Sequence, residues 1–250
     1  MSNYLTGNFS CLVDQGKVRK TNEDFSMGAI NAYGNVILCV ADGMGGAKKG
    51  DYASSTLVKY IVKNFQGLDK EFKNSKAMKK WLYKIILEAN KKIYTKANKS
   101  LDFKGMGSTL SVCLIVKDIL ITAQVGDSRI YILKDNKLSQ LSVDQSYVNY
   151  LVHNHYINAD DASSHKERHK LTNAIGTKSK VNADINEYHY EKERLLLCSD
   201  GLYNNVSFED LESILRGNDS LDKKVMQLIA FGNANGGSDN MAVLIWECSF

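Results

Sequence analysis

The sequence predicts an α+β protein, in which amphipathic helices accompany antiparallel strands. Apolar residues recur at helical spacing in four stretches, and short apolar runs bounded by Gly, Asn or Asp lie between them. Between residues 109 and 142 such runs follow one another through tight turns, a pattern typical of an antiparallel β-meander. No apolar run approaches the roughly 18–20 residues that a membrane-spanning helix needs.

The first hundred residues contain three predicted strands and two predicted helices. The strands occupy 3–13, 24–30 and 36–42, and the last of them runs into an aspartate and a glycine-rich turn. Helical spacing predicts helices at 47–66 and 75–99. The second helix has apolar residues on one face and mostly lysines on the other, so we expect its apolar face to pack in the core.

The second half of the chain is richer in strands. Strands are predicted at 109–117, 119–125, 129–134, 137–142, 184–190, 194–199 and 241–246, and helices at 207–216 and 220–234. The chain has no proline, so its turns depend on Gly, Asn and Asp, as at Asp135-Asn136 and at 126–129. No linker or shift in composition marks a boundary, and we expect a single domain over 1–250.

The segment 143–180 is polar and irregular, with helical pieces predicted near 145–153 and 159–167. Four of the five histidines lie in it: His153, His155, His165 and His169. A histidine cluster suggests zinc, but these spacings match no common ligand set. We therefore expect a solvent-exposed flap.

Composition excludes few functions. Lys and Arg total 32 against 28 Asp and Glu, and the net charge of +4 is dispersed, which argues against nucleic acid binding. The five cysteines have no CxxC spacing, so buried reduced thiols are favoured over disulfides or zinc. The N-terminus lacks a basic segment followed by an apolar one, and we expect no signal peptide and a cytoplasmic location. We also expect a monomer that does not bind membranes.

Acidic residues recur at strand ends and at glycine-containing turns. They are Glu23, Asp24, Asp42, Asp127, Asp200 and Asp239. Each taken singly is ordinarily a turn residue, but their number and their attachment to core strands favour a shared site. Carboxylate, carbonyl and water ligands without thiolate or imidazole suit the hard cations Mg²⁺ and Mn²⁺.

Converging carboxylates can hold two such ions about 3.5–4 Å apart, bridged by one acid and a water. The bridging water becomes a hydroxide nucleophile near neutral pH, and the ions offset charge that develops on a phosphoryl oxygen. Arg19, close in sequence to Glu23 and Asp24, has a planar guanidinium suited to gripping a phosphate. These residues therefore predict metal-assisted phosphoester hydrolysis.

Seven segments resemble those of the metal-dependent protein serine/threonine phosphatases of the PPM family (type 2C), especially its compact bacterial members. They are VRKTNED (18–24), VADGMGG (40–46), GMGST (105–109), VGDSR (125–129), LTNAIG (171–176), LCSDGL (197–202) and SDNMA (238–242). They occur in the family's order and at its spacing. The resemblance implies a four-layer α/β/β/α sandwich, with two antiparallel sheets face to face and a helix pair outside each.

The resemblance also implies which residues hold the first metal ion. Asp42 would bridge two ions, and the Gly43 carbonyl would bind one of them. Asp200 and Asp239 would hold the first ion, and Asn240 would orient the neighbouring ligand.

The remaining site residues have implied roles around the second and third ions and the substrate. Glu23 and Asp24 would act on the second ion, directly or through water. Asp127, together with Asp200, would support a weaker third ion. Arg19 would bind the substrate phosphate.

Some positions depart from the family pattern. Met44 stands where many eukaryotic relatives have a histidine proposed as general acid, so water or a flap residue would protonate the leaving group. Gln145 and Lys166 stand where relatives often have histidine and proline, which bears on substrate preference.

The leading hypothesis is a Mn²⁺- or Mg²⁺-dependent phosphatase that acts on phosphoserine and phosphothreonine in proteins and opposes a bacterial Ser/Thr kinase. The alternative is a pseudophosphatase that binds phosphoproteins as a scaffold or regulator. Such a protein should have lost metal ligands, and this chain retains them. A third hypothesis is another metal phosphoesterase, such as a nuclease, against which the dispersed positive charge argues.

Overall fold

The computed structural model describes residues 6–45, 49–99, 101–162 and 164–248. Within these ranges the strands are β1 (Gly7–Asp14), β2 (Asp24–Ile30), β3 (Val36–Met44), β4 (Gly107–Ser108), β5 (Leu110–Val116), β6 (Ile119–Val125), β7 (Arg129–Lys134), β8 (Lys137–Gln140), β9 (Asp184–His189), β10 (Arg194–Cys198) and β11 (Met241–Cys248). The α-helices there are α1 (Lys49–Gln66), α2 (Ser75–Lys99), α3 (Tyr147–His153), α4 (Ala159–Ala162), α5 (Asp200–Tyr203), α6 (Phe208–Arg216) and α7 (Leu221–Ala234). A 3₁₀ turn covers Leu101–Phe103.

The strands form two antiparallel sheets. The first sheet has the order β1-β11-β10-β7-β8, and the second has the order β2-β3-β5-β6-β9, with β4 paired to β3. Neighbouring strands run antiparallel throughout both sheets. The two antiparallel sheets that the resemblance implies are confirmed.

The meander predicted over 109–142 is wrong as a single unit. β5 pairs with β6 in the second sheet, whereas β7 pairs with β8 in the first. The turn 126–129 therefore carries the chain from one sheet to the other, with Gly126 at φ 89°. The sequence could not distinguish the two cases, because a hairpin and a crossing between packed sheets can both be made by one short turn.

β3 is buried on both faces and links two layers of the core. Alternate residues from Ile37 to Ala41 pack against α1 and α2, while those from Val36 to Val40 face the other sheet. A strand buried on both faces has a continuous apolar sequence rather than an alternating one. This explains the unbroken apolar run that ends at Asp42.

β10 and β11 of the first sheet are likewise buried on both faces. Leu197 and Leu244 pack between the sheets, and Leu196 and Ile245 pack beneath α6 and α7. The layers are therefore α1 with α2, the second sheet, the first sheet, and α6 with α7. This confirms the four-layer α/β/β/α sandwich, and the apolar face of α2 lies in the core as predicted.

The predicted bounds of β2, α2, β6 and β7 agree with the structure. The predicted starts of the first strand and the first helix, Gly46 of the glycine turn, and Ser163 lie outside the described residues. α5, β4 and the 3₁₀ turn were not predicted; each has only two to four residues, too few for a periodic pattern.

The segment 143–180 is only partly the exposed flap that was predicted. Tyr150 and Tyr156 are more than half exposed, in and after α3. By contrast, Ile175 is fully buried and pairs with Ser108, and Gly176 N–H donates to Asn90 Oδ1 at 2.7 Å. The exposed part is therefore 143–170, and we call this range the flap from here on.

Three smaller features complete the fold. Asp135 and Asn136 both have positive φ, 51° and 62°, as a two-residue hairpin turn requires. Four of the five cysteines are buried as predicted, and Cys11 is exposed. Among the helices of the described ranges, none has both the length and the hydropathy to cross a bilayer.

The position of Leu38 in the core between the sheets can be tested by its effect on stability. Leu38 is fully buried there, so Leu38→Ala should lower the free energy of unfolding by about 2–5 kcal/mol. Leu101 is 85% exposed, and Leu101→Ala should change it by only about 0.5 kcal/mol. Urea denaturation of both variants measures the difference. Equal losses would contradict the assignment of Leu38 to the core.

Candidate active site

The acidic residues that the sequence singled out come together at one end of the sandwich. Asp24 begins β2 and pairs in register with Asp42 of β3, so these two carboxyl groups are on adjacent strands. Asp200 begins α5 two residues after the end of β10, and Asp239 lies two residues before the start of β11. Asp127 lies in the crossing between β6 and β7. We call these five residues and Glu23 the acidic cluster.

A serine hydroxyl links the two sheets inside this cluster. Ser199 is fully buried, and its Oγ donates to Asp24 Oδ2 at 2.5 Å while accepting from Ala242 N–H at 2.8 Å. Asp24 belongs to the second sheet, and Ala242 belongs to the first. The hydroxyl therefore holds Asp24 against the β10–β11 side of the site.

The backbone of Asp42 is fixed on both sides. Its N–H donates to Thr109 Oγ1 at 2.8 Å, and its carbonyl accepts from Thr109 N–H at 2.8 Å and from Ser108 Oγ at 3.0 Å. Thr109 Oγ1 also shares a 2.6 Å hydrogen bond with Ser128 Oγ, next to Asp127. These contacts position the carboxyl groups of Asp42 and Asp127 relative to each other.

Arg19 lies at the edge of the cluster. Its Nη2 donates to Asp239 Oδ2 at 2.7 Å, and its side chain is 54% exposed. The carboxylate of Asp239 raises the pKa of Arg19 further. A guanidinium has five N–H donors, so the remaining ones can meet a second anion.

Asn240 ties the Arg19 segment to β11. Its Oδ1 accepts from Glu23 N–H at 2.9 Å, and its Nδ2 donates to the carbonyls of Gln15 and Thr21, both at 2.9 Å. Its side chain thus contacts the connector, while its backbone N–H donates to the neighbouring carboxylate, Asp239 Oδ1, at 2.9 Å. It fixes the path of the loop that carries Arg19 and Glu23.

Gly43 and Glu23 meet at the start of α1. Gly43 N–H donates to the Glu23 carbonyl at 3.0 Å, and Gly50 N–H donates to Glu23 Oε1 at 3.1 Å. A Cβ on Gly50 would lie 2.6 Å from the Gly43 carbonyl oxygen and 2.7 Å from Glu23 Oε1. Only glycine lets α1 approach so closely, because any side chain would displace both oxygens.

Burial and mutual repulsion raise the pKa values in the cluster. Burial raises the pKa of Asp24 to about 8, and the charges of Asp200 and Asp239 add to the effect. Burial also raises the pKa of Asp127 to about 7, with Asp200 contributing. For Asp42 burial, followed by the charge of Asp24, holds the pKa well above its ordinary value. Such a site favours bound positive charge.

The donor set fits hard divalent cations, since it consists of carboxylate oxygens with a backbone carbonyl nearby. Within the described ranges no three His, Cys, Asp or Glu side chains already surround a single point. The acids instead engage protein donors, as Asp239 does with Arg19 and Asp24 does with Ser199. A cation there would replace these contacts and favour the ionised forms of the buried acids.

The flap reaches the cluster through His169. Its Nδ1 lies 3.9 Å from Asp200 Oδ2, and the nearby Asp200 carboxylate raises the pKa of the imidazole. The other three flap histidines stand in no such contact with the described acids of the cluster.

Asp127 is linked to the base of the flap through aromatic and ionic contacts. Tyr203 OH donates to the Asp127 carbonyl at 3.1 Å, and the guanidinium of Arg129 lies 3.6 Å from the centre of the Tyr203 ring. Arg129 binds both oxygens of Asp144, with Nη2 at 2.8 Å from Oδ2. Gln145 N–H then donates to the Gly126 carbonyl at 2.9 Å.

Several of these residues were not singled out from the sequence as site residues. Ser199, Thr109 and Tyr203 act through partners far along the chain, so no local pattern marks them. Gly50 follows the glycine-rich turn. This position requires glycine because the start of α1 packs directly against Gly43 and Glu23. The sequence did hold a weak indication for two of them, since Thr109 and Ser199 lie inside the segments that resemble the phosphatase family.

A cavity of about 400 Å³ lies elsewhere, at the opposite end of the first sheet. It is lined by Lys134, Glu191, Arg194, Arg216 and Glu247 among others, with acids and bases in balance. It shares no residue with the acidic cluster, which is open to solvent at Arg19 and Asp239; we call this opening the cleft.

Comparison with known proteins gives consistent matches over nearly the whole chain. A family model described as "Protein phosphatase 2C" matches residues 17–243. A curated relative, the serine/threonine phosphatase stp of Listeria welshimeri, is 37% identical over 235 residues, covering 94% of this chain and 93% of its own.

Solved structures of serine/threonine phosphatases are also similar to this chain over nearly its whole length. The S. agalactiae serine/threonine phosphatase has a TM-score of 0.91 at 34% identity, covering 97% of this chain and 100% of its own. The catalytic domain of the serine/threonine protein phosphatase PstP was solved in complex with two manganese ions. It has a TM-score of 0.86 at 27% identity, covering 98% of this chain and 100% of its own.

The raised pKa of Asp24 predicts a pH dependence of stability in chelator. The folded pKa is about 8, whereas an unfolded Asp titrates near 3.9, so the folded state keeps a proton that the unfolded state releases. The free energy of unfolding should therefore fall as pH rises from about 4 to about 8. Asp24→Asn should reduce this slope, measured by urea denaturation at several pH values.

The control for this variant is Asp118→Asn, since Asp118 is exposed in the β5–β6 turn and outside the cluster. It should leave the slope unchanged. An unaltered slope in Asp24→Asn would contradict the assignment of the pH dependence to this carboxyl group.

Asn240 offers a second test. Asn240→Ala removes the partners of Glu23 N–H and of the Gln15 and Thr21 carbonyls. Since leaving a buried polar group unsatisfied costs about 1–3 kcal/mol, the free energy of unfolding should fall by about 2–4 kcal/mol. Asn240→Asp keeps the acceptor for Glu23 N–H but sets a carboxylate oxygen against the Gln15 and Thr21 carbonyls, so it should lose at least as much. Wild-type stability of either variant in thermal denaturation would contradict this role of Asn240.

Proposed function

The chain belongs to the protein phosphatase 2C family and is a serine/threonine phosphatase, and we propose that it hydrolyses phosphoserine and phosphothreonine in proteins with two bound Mn²⁺ or Mg²⁺ ions. The observation that carries the proposal is the convergence of acidic residues from both sheets on one end of the sandwich. The PstP relative solved with two manganese ions supports this choice of metals.

We assign the central ligand role to Asp42. Its backbone is held by Thr109 and Ser108, so its carboxylate is presented in a fixed position between the others. Asp200 and Asp239 would hold the first ion with it, and the Gly43 carbonyl would add a neutral oxygen ligand.

The second side of the site would use Glu23 and Asp24. Glu23 is oriented by Gly50 N–H, and Asp24 is oriented by Ser199. Asp127, beside Asp200, would support a weaker third ion. Asn240 acts on the site by positioning the Glu23 segment.

When bound, the ions would supply the Lewis acidity that activates a water molecule and offsets charge on the phosphoryl oxygens. Arg19 would bind the substrate phosphate with the guanidinium donors that Asp239 does not use. The ion pair with Asp239 keeps this guanidinium at the mouth of the acidic cluster. Met44 has no proton to give, so the leaving alkoxide takes its proton from water or from a flap residue.

We further propose the cellular setting. Phosphoserine and phosphothreonine are made by kinases, so the enzyme would oppose a bacterial Ser/Thr kinase and act on phosphorylated proteins rather than nucleic acid. The buried free thiols suit a reducing compartment such as the cytoplasm. We expect it to act as a monomer.

The experiment is hydrolysis of a small aryl phosphate and of a phosphothreonine peptide, with Mn²⁺, Mg²⁺ or excess chelator. Wild-type turnover should appear with metal and vanish with chelator. Asp42→Asn and Asp239→Asn should reduce turnover to the level seen in chelator, because each removes a charged ligand, while circular dichroism shows the fold retained.

Asp118→Asn is the matched control and should keep wild-type turnover, since this acid lies in the exposed β5–β6 turn. Full activity in both cluster variants would exclude the two-metal mechanism. Tight metal binding by the wild type without hydrolysis of any phosphorylated substrate would instead favour a phosphoprotein-binding scaffold.

A further inference from the structure

A lysine-rich surface borders the acidic cluster on the side of α1 and α2. We call it the lysine rim and define it by Lys49, Lys96, Lys99 and Lys104. The last three are exposed, and Lys49 is half-buried at the start of α1. None of the four forms an ion pair with an acid in the described part of the chain.

The rim lies directly beside the strand that carries Asp42. Gly43 and Met44 pair with Ser108 and Gly107, so the segment that begins at Lys104 runs alongside the end of β3. A Cβ on the next residue, Gly45, would lie 3.0 Å from Met106 Cα and 3.3 Å from Lys49 Cβ. Lys49 and the segment from Lys104 thus lie next to Gly45, three residues beyond Asp42.

Aromatic rings hold one of its lysines in place. Lys96 Nζ lies 4.5 Å from the centre of the Phe103 ring and 6.0 Å from that of Tyr52, and these two rings are 5.0 Å apart. Leu101, at 85% exposure, extends from the same 3₁₀ turn. The surface therefore combines cations that have no acidic partner with exposed apolar area.

The helix dipole accounts for only part of this charge. Lys96 and Lys99 are in the last turn of α2, where cations are favourable. Lys104 follows the 3₁₀ turn and Lys49 begins α1, an end where a cation is unfavourable. Lys49 and Lys104 share a place beside the end of the strand that carries Asp42.

We propose that the lysine rim binds acidic residues that flank the phosphorylated serine or threonine of a protein substrate. The inference rests on the proposed function, since it names a substrate class for the same site. The acidic cluster repels an acidic segment, and unpaired cations along the cleft offset that repulsion. Charge complementarity of exposed groups acts on encounter and on specificity, and it weakens as salt rises.

The test uses two phosphothreonine peptides of equal length, one with Asp and Glu flanks and one with Ser and Ala flanks. In Lys99→Glu/Lys104→Glu, KM for the acidic peptide should rise about fivefold at low salt, with kcat little changed. KM for the neutral peptide should change less than about twofold. Raising salt to about 0.3 M should shrink the difference, since screening shortens the range of these charges.

The matched control is Lys76→Glu/Lys80→Glu. Both lysines are exposed on the first turns of the same helix, roughly 30 Å from Lys99 by the rise of an α-helix, and the net charge changes equally. This variant should keep the wild-type preference between the two peptides.

An equal rise in KM for both double variants would show an effect of net charge and overturn the proposal. An unchanged KM for the acidic peptide in the rim variant would overturn it too. So would loss of binding to anionic phosphatidylglycerol vesicles in the rim variant with unchanged peptide kinetics, which would make the rim a membrane contact. Failure of the wild type to hydrolyse the aryl phosphate would instead contradict the proposed function.

Discussion

The main constraint on this structure is that several carboxylates of like charge lie close together where the two sheets meet. Asp24 and Asp42 are cross-strand neighbours, and Asp127, Asp200 and Asp239 come close enough to raise the pKa values of the buried members. Such an arrangement costs stability on its own, because each ionised carboxylate loses hydration and repels the next. It persists because the sandwich, rather than the site, supplies the folding free energy.

Hydrogen bonds at the strand ends hold the acidic residues in position. Thr109 holds both backbone groups of Asp42, Ser199 spans from one sheet to the other, and Asn240 holds the connector. None of these groups carries charge, so they fix positions without neutralising the acids. The negative potential remains available to cations, and Arg19 is the one guanidinium paired with the cluster in the described residues.

The surroundings of the cleft differ from its centre in sign. The lysine rim lies on the side of α1 and α2, while the flap brings His169 close to Asp200 on another side. Cations at the edges of a cleft favour the approach of an anionic substrate. The ionic and aromatic chain from Asp127 through Tyr203 and Arg129 to Asp144 also means that the base of the flap and the site are parts of one packed unit.

The sequence by itself determined most elements and the acidic residues of the site. The bounds of β2 and α2 follow from local patterns, and the recurring apolar-run, aspartate, glycine motif marks Asp42 and Asp200. Motif resemblance further implied the sandwich and a role for each acid. These features are local in the chain, so one stretch of residues is enough to carry them.

Only the tertiary structure decided how these pieces meet. The turn 126–129 crosses between sheets instead of closing a hairpin, Ile175 belongs to the core rather than to the flap, and Gly50 must be glycine because α1 touches the Gly43 carbonyl. Ser199 and Thr109 matter through partners that lie far away in the chain. The physical reason is the same in each case: close packing and buried hydrogen bonds join residues that no sequence spacing relates.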